Sequence, residues 1–168
     1  MEEIFDIIDE NNKVVAKASR KEAHTKGLRH RAVWFFILDK KGRIFVNKRS
    51  PKKEFYPGYN SILFGGHVAS GDSYEETVVR EVKEETGIGG KPIFLSDYKK
   101  EFNEKDKEIG KIYAFVTDKQ PKLDTNEVES GKFMTLEETE KILKTGKFLP
   151  EAKELFEILK KYFKTKNI

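Results

Sequence analysis

The sequence predicts a mixed α+β domain. Three patterns carry that expectation. Short alternating apolar runs separated by turn residues fill much of the chain, a helical-period segment sits in its middle, and further ones close the C-terminus. A length of 168 residues suits one domain with a sizeable core. Apolar residues at 37% and aromatics at 12% mark a folded chain. With no internal repeat and no linker-like stretch, residues 1–168 are read as one unit.

The elements follow in order. "EIFDIID" and "KVVAKAS" flank "ENN", a strand, a turn and a strand. "SRKE" is a capping box for a short helical turn through Ala23, so residues 1–29 form a hairpin and a turn of helix. "HRAVWFFILD" and "RIFVNKR" make a second hairpin around "KKG". "FYPGYN" is a Pro-Gly turn, and "SILFGGHV" reads as a short buried strand broken by its two glycines. "SYEE" caps a helix that Gly87 ends. "PIFLSDYKKEF" and "IGKIYAFVTD" alternate as paired strands joined by "NEKDKE", and "EVESGKFM" is a further strand. Thr135 caps a helix reaching about Leu143. A final amphipathic helix within 148–168 repeats Ala152, Leu155, Phe156, Leu159 and Phe163 at helical spacing.

Composition narrows the chemistry. The chain has no cysteine, which excludes disulfides, thiolate metal sites and cysteine nucleophiles. Its longest apolar run, "AVWFFIL", is too short to span a membrane. The first residues show no charged-then-apolar leader, so a cytoplasmic protein with no membrane partner is expected. The net charge of +4 is uneven: residues 141–168 carry eight Lys and three Glu, and the first 140 sum to −1. Such basicity is a solvated helix face, and no nucleic-acid partner is expected.

The central helix poses an electrostatic problem. Turned at about 100° per residue, it places Tyr74, Val78, Val79 and Val82 on one apolar face. Glu81, Glu84 and Glu85 fall along the flank of that face, where like charges repel and lose water. Such a cluster is costly unless a cation neutralises it. Oxygen ligands without cysteine point to Mg²⁺ or Mn²⁺, and Mg²⁺ commonly completes its shell with phosphates.

The stretch Gly66, five residues, Asp72, seven residues, then Arg80-Glu81-Val82-Lys83-Glu84-Glu85-Thr86-Gly87-Ile88 resembles the Nudix box over 66–88, with eight of nine specified positions matched and Asp72 where the family has Glu. The resemblance implies the Nudix fold, a mixed β-sheet sandwiched between helices. It implies a metal-dependent hydrolase that cleaves a nucleoside diphosphate, or a related diphosphate, linked to a group X. Glu81, Glu84 and Glu85 would hold the metal, joined by a backbone carbonyl of the Gly66 loop. Arg80 would orient a ligand carboxylate, though a helix ion pair with Glu76 also suits it. A carboxylate, in the box or on a later loop, would act as base; Glu84, Glu81 and Arg80 are the catalytic candidates in the box, and Glu104, Glu108, Glu127 and Glu129 are candidates for the base outside it.

The region before the box resembles isopentenyl-diphosphate isomerases and their hydrolase relatives. Arg49 and Lys53 match positions that hold a substrate diphosphate there. His24, His30 and His67 match histidines that join carboxylates around a metal; the simpler reading is hydrogen-bonding residues at a pocket rim. The isomerase cysteine is replaced by Gly65, and Lys111 is expected to stand in for one acid of its Glu-any-Glu pair. Hydrolysis is therefore the expected activity, with a non-enzymatic diphosphate-binding domain and the isomerase as alternatives. Tyr56, Tyr59 and Phe102 are aromatics near the expected mouth, and the N-terminal strands offer an edge for a homodimer.

Overall fold

A computed structural model describes residues 2–53 and 56–166. Its elements are β1 (Ile4–Ile8), β2 (Val14–Ser19), α1 (Arg20–Lys26), β3 (His30–Asp39), β4 (Ile44–Arg49), β5 (Asn60–Ser61), β6 (Phe64–His67), α2 (Tyr74–Thr86), β7 (Ile93–Asn103), β8 (Asp106–Thr117), β9 (Val128–Met134), α3 (Leu136–Thr145) and α4 (Ala152–Lys166). The expected α+β architecture is present, with its N-terminal hairpin and C-terminal helix.

The apolar run "AVWFFIL" lies in β3, and its near-continuous burial shows why it does not alternate. β3 runs parallel to β8 along its whole length, from His30 opposite Glu108 to Asp39 opposite Thr117. Along its other edge it pairs antiparallel with β6, Ala32 opposite His67 and Val33 opposite Gly66. With both edges paired and both faces covered, every position but the ends is buried or nearly so. Ala32, Trp34, Phe36 and Leu38 face α4 and α3, packing with Leu155, Phe156, Leu159 and Leu143. Val33, Phe35 and Ile37 face α2, packing with Val78 and Val82. The sheet thus lies between helices, as the sequence resemblance implies.

Several local expectations shift. The α1 helix runs past Ala23 to Lys26, because Ser19 caps it and Gly27, at φ 63°, closes it with a left-handed turn. The two glycines of "SILFGGHV" do not break the strand. They lie inside β6, and the interruption falls at Ile62 and Leu63, which are buried. Val79 is 44% exposed, so the buried stripe of α2 is Thr77, Val78, Val82 and Thr86. Lys111 shares a face with Val33, whereas the residue two beyond Glu108 on Glu108's own face is Gly110.

The α4 stripe is buried as its spacing predicts, with Leu159 fully enclosed. Leu159→Ala should cost about 2–5 kcal/mol of stability, read from the urea midpoint at an unchanged slope.

Candidate metal and diphosphate site

Helix α2 is fixed at both ends before it is packed. Ser73 accepts from the Glu76 backbone N–H, and the Glu76 side chain returns the bond to the Ser73 backbone. Gly87, at φ 66°, stops the helix with its N–H on the Lys83 carbonyl. Burial of Val78 and Val82 against β3 then sets the rotation of the helix. That rotation leaves Glu81 and Glu85 half-buried and Glu84 exposed.

Glu81 lies against the β6 backbone. A Cβ at Gly66 would sit 2.3 Å from the Glu81 carboxyl carbon, so any larger residue would push this carboxylate from where it lies. Gly66 is a strand residue paired with Val33 and not a loop residue. Burial, then the charge of Glu84, pushes the Glu81 carboxyl up to about 7 against the pull of Arg80. Burial, then the charge of Glu127, raises Glu85 against the pull of Lys53. The three box carboxylates are therefore a crowded, partly desolvated anionic seat. Oxygen donors that repel one another in this way fit a hard divalent cation.

Arg80 does not pair with Glu76, which the cap has taken. Its Nη1 donates to Asp72 Oδ2 at 2.7 Å, and its Nη2 lies 3.8 Å from Glu81 Oε1. Asp72 thus holds the arginine that faces Glu81. Of the four outer carboxylates, only Glu127 comes near the box: it pairs with Lys53 and bears on Glu85. Glu129 pairs with Lys48 at 3.0 Å. Glu104 is exposed beside Lys105 between β7 and β8. Arg49 ends β4, its backbone N–H on the Tyr59 carbonyl at 2.8 Å. The Phe102 side chain lies outside the described residues.

Glu108 belongs to a second cluster on the opposite face. One ligand atom from each of His24, His30, His67 and Glu108 lies within 4.8 Å of the others. His30 is 1% exposed, which corrects the pocket-rim expectation for that residue. Its Nδ1 donates to the Leu28 carbonyl at 2.8 Å, so the neutral ring turns an Nε2 lone pair inward. That Nε2 is 3.6 Å from Glu108 Oε1, beyond hydrogen-bond distance, and has no partner. His67 Nε2 is 3.1 Å from the same oxygen, and Lys100 Nζ is 3.4 Å from Oε2. Burial would raise Glu108, but the hydrogen bond from His67 and the Lys100 ammonium hold it well below its ordinary value. Burial, then the neighbouring His67 and His30, brings His24 down to about 4. Lone pairs and a carboxylate facing inward suit a borderline divalent cation. Glu108 stands far from the histidines along the chain, and the β3–β8 register brings it opposite His30.

Gly65 and Gly110 flank Trp34 on this face. A Cβ at Gly65 would come 3.0 Å from the indole, and one at Gly110 would meet it at 2.8 Å and the Ala32 carbonyl at 1.8 Å. Trp34 is 5% exposed and its ring meets Tyr98 edge-on at 5.2 Å. The indole occupies the space above both glycines.

The sequence model of the NUDIX domain matches residues 28–157. The chain belongs to the Nudix hydrolase family. YfcD of Escherichia coli K12, an uncharacterized Nudix hydrolase, is 34% identical over 137 residues, 81% of this chain and 76% of that one. An uncharacterized Nudix hydrolase of Streptomyces coelicolor is 43% identical over 91 residues, 54% of this chain. The match spans about half (50%) of that relative's length. The crystal structure of DR0079 from Deinococcus radiodurans shares the fold, with a TM-score of 0.78 over 92% of this chain and 98% of that one at 23% identity. In this family setting, α2 with its preceding segment is the Nudix helix and box.

The raised Glu81 gives a pH signature. Its folded value of about 7 lies above the ordinary 4.5, so the metal-free fold holds this proton more tightly than the unfolded chain. That contribution is complete below about pH 4.5 and is lost as pH rises through about 7. The melting temperature of metal-free protein should therefore decline across this window. Glu81→Gln should flatten the decline, and Mg²⁺ should reverse it above neutrality.

Proposed function

We propose that the protein is a metal-dependent pyrophosphohydrolase. It would cleave the diphosphate linkage of a nucleoside diphosphate derivative or a related diphosphate by attack of water at phosphorus. The observation that carries this reading is the seat of Glu81, Glu84 and Glu85, with Glu81 pressed against Gly66. Those glutamates would hold Mg²⁺ or Mn²⁺. The bound ion supplies Lewis-acid polarisation of phosphoryl oxygens and acidifies water.

The remaining work falls to the side chains. Arg80, held by Asp72, would orient the Glu81 carboxylate through its charge. Arg49 and Lys53 would bind the diphosphate, one as a fork and one as a point charge. Glu127, which bears on Glu85 and pairs with Lys53, would take the proton of the attacking water. Isomerase chemistry is disfavoured: the chain has no cysteine, and Trp34 covers Gly65 and Gly110.

A panel of nucleoside diphosphate derivatives and prenyl diphosphates with Mg²⁺, followed by released phosphate, tests this reading. Glu84→Gln and Glu85→Gln should each lower turnover by ~100-fold or more, with folding retained. Intact Mg²⁺ binding without turnover on any compound would favour a binding domain instead.

The second cluster supports a second cation, Zn²⁺ or Mn²⁺, on His24, His30, His67 and Glu108. The inward Nε2 lone pair of buried His30 favours it over a purely hydrogen-bonded set. Elemental analysis of purified protein should find about one such ion per chain, lost in His24→Ala while Mg²⁺ binding at the Nudix helix persists.

A further inference from the structure

Strand β1 carries one acid in an apolar run, and that acid belongs to neither cluster. Asp6 stands between Phe5 and Ile7, both buried, and its own side chain is only 14% exposed. The ordinary role of such a residue is a cross-strand ion pair, and Lys17 lies opposite it in the β1–β2 ladder. That pair is loose: the exposed Lys17 ammonium stays 4.0 Å from Oδ1. Arg31 comes no closer than 3.9 Å, because its Nε and Nη2 are committed to Asn12. The carboxylate turns instead to the segment between β6 and α2. Ser70 Oγ donates to Asp6 Oδ1 at 2.7 Å, and the Gly71 N–H approaches Oδ2 at 3.4 Å.

That segment is a tight turn seated on β1. The Asp72 N–H donates to the Ala69 carbonyl at 3.0 Å, and Gly71 holds φ 90°. The Ser70 N–H donates to the Ile4 carbonyl at 2.8 Å, and Ala69 bridges Phe5. The turn presents Asp72, which takes Arg80 Nη1 at 2.7 Å while Nη2 faces Glu81. Contacts thus run without a gap from Asp6 through Ser70 and Gly71 to Asp72, Arg80 and Glu81. The base of this chain is rigid. Phe5 stacks on His30 at 4.9 Å, and adjacent strand residues point to opposite sides, so β1 is anchored by Phe5 while Asp6 is held out to the turn.

We propose that Asp6 is a positioning residue of the hydrolytic site, setting through the Ser70–Asp72 turn where Arg80 meets the Glu81 carboxylate. This deepens the hydrolase reading and rests on the metal seat proposed for Glu81, Glu84 and Glu85. A carboxylate has two acceptors, and here they fix two successive residues, Ser70 by its hydroxyl and Gly71 by its backbone. Both the place and the rotation of the peptide leading to Asp72 are thereby set. An amide at this position keeps one acceptor for Ser70 and turns an NH₂ toward the Gly71 N–H, donor against donor. Outer partners that orient a metal ligand tune affinity by about 10–100-fold, and Asp6 acts from further out, so its effect is smaller.

The test is calorimetric titration of the metal-free full chain with Mg²⁺, beside urea unfolding of each variant. Asp6→Ala should weaken Mg²⁺ binding about fivefold, and Asp72→Ala, nearer the arginine, about tenfold. On an Asp72→Ala background, Asp6→Ala should change affinity by less than about twofold, because both act along one route. Asp6→Asn should weaken binding in the same direction but by less. Ser70→Ala removes the same bond from the turn side and decides the matter should Asp6→Ala fail to fold. Leu143→Val trims the core beneath α3; it should lower the urea midpoint and leave Mg²⁺ affinity within about twofold of wild type. Wild-type affinity in Asp6→Ala, or in Ser70→Ala where that variant decides, overturns the inference. So do effects of Asp6→Ala and Asp72→Ala that multiply, and so does a Leu143→Val loss as large as that of Asp6→Ala. Wild-type protein that binds no Mg²⁺, or binds it regardless of Glu84→Gln and Glu85→Gln, overturns the metal seat and this inference together. Binding that Glu84→Gln weakens and Asp6→Ala leaves alone overturns the positioning role only.

Discussion

Gly66 and His67 are adjacent residues of β6, and pleating turns them to opposite sides of the sheet. Their register against Val33 and Ala32 of β3 decides where each half of the chemistry stands. On the Gly66 side, the missing Cβ admits the Glu81 carboxylate and lets α2 approach. On the His67 side, the imidazole joins His24, His30 and Glu108. A one-residue slip of β6 would exchange the two faces and abolish both clusters at once.

The electrostatics of the two clusters are opposed in kind. The Nudix helix gathers carboxylates whose partial burial, then the charge of Glu84 on Glu81 and of Glu127 on Glu85, raises both groups. The histidine cluster gathers three imidazoles around one carboxylate that its neighbours keep ionised. Hard oxygen donors and mixed imidazole donors suit different ions, and the sheet keeps the two donor sets on opposite faces. Trp34 completes the division. It lies over Gly65 and Gly110 and fills with indole the space above both glycines.

Much of the fold was legible because its signals are local. Ser73, Glu76 and Gly87 bracket α2, Thr135 and Glu138 cap α3, and the α4 stripe is buried position for position. Misreadings came where packing overrides a local rule. Gly65 and Gly66 resemble a strand breaker, yet they sit inside a strand because an indole and a carboxylate need the space. Val79 extends the apolar face of a helical wheel, yet α2 turns it to solvent so that Val78 and Val82 can bury. Arg80 has Glu76 at helical spacing, but the cap claims that glutamate and the arginine reaches back to Asp72.

The sequence alone determined the helix that carries the glutamates, their spacing, the all-oxygen donor set and the absence of a cysteine nucleophile. These are properties of consecutive residues, which a helical repeat converts directly into geometry. Tertiary structure decided the rest: that Glu127 and not Glu108 accompanies the box, that Glu108 completes the histidines, and that Tyr59 stands opposite Arg49. These depend on how strands pair, the first two between segments far apart in the chain, and pairing is set by which faces the whole core can bury.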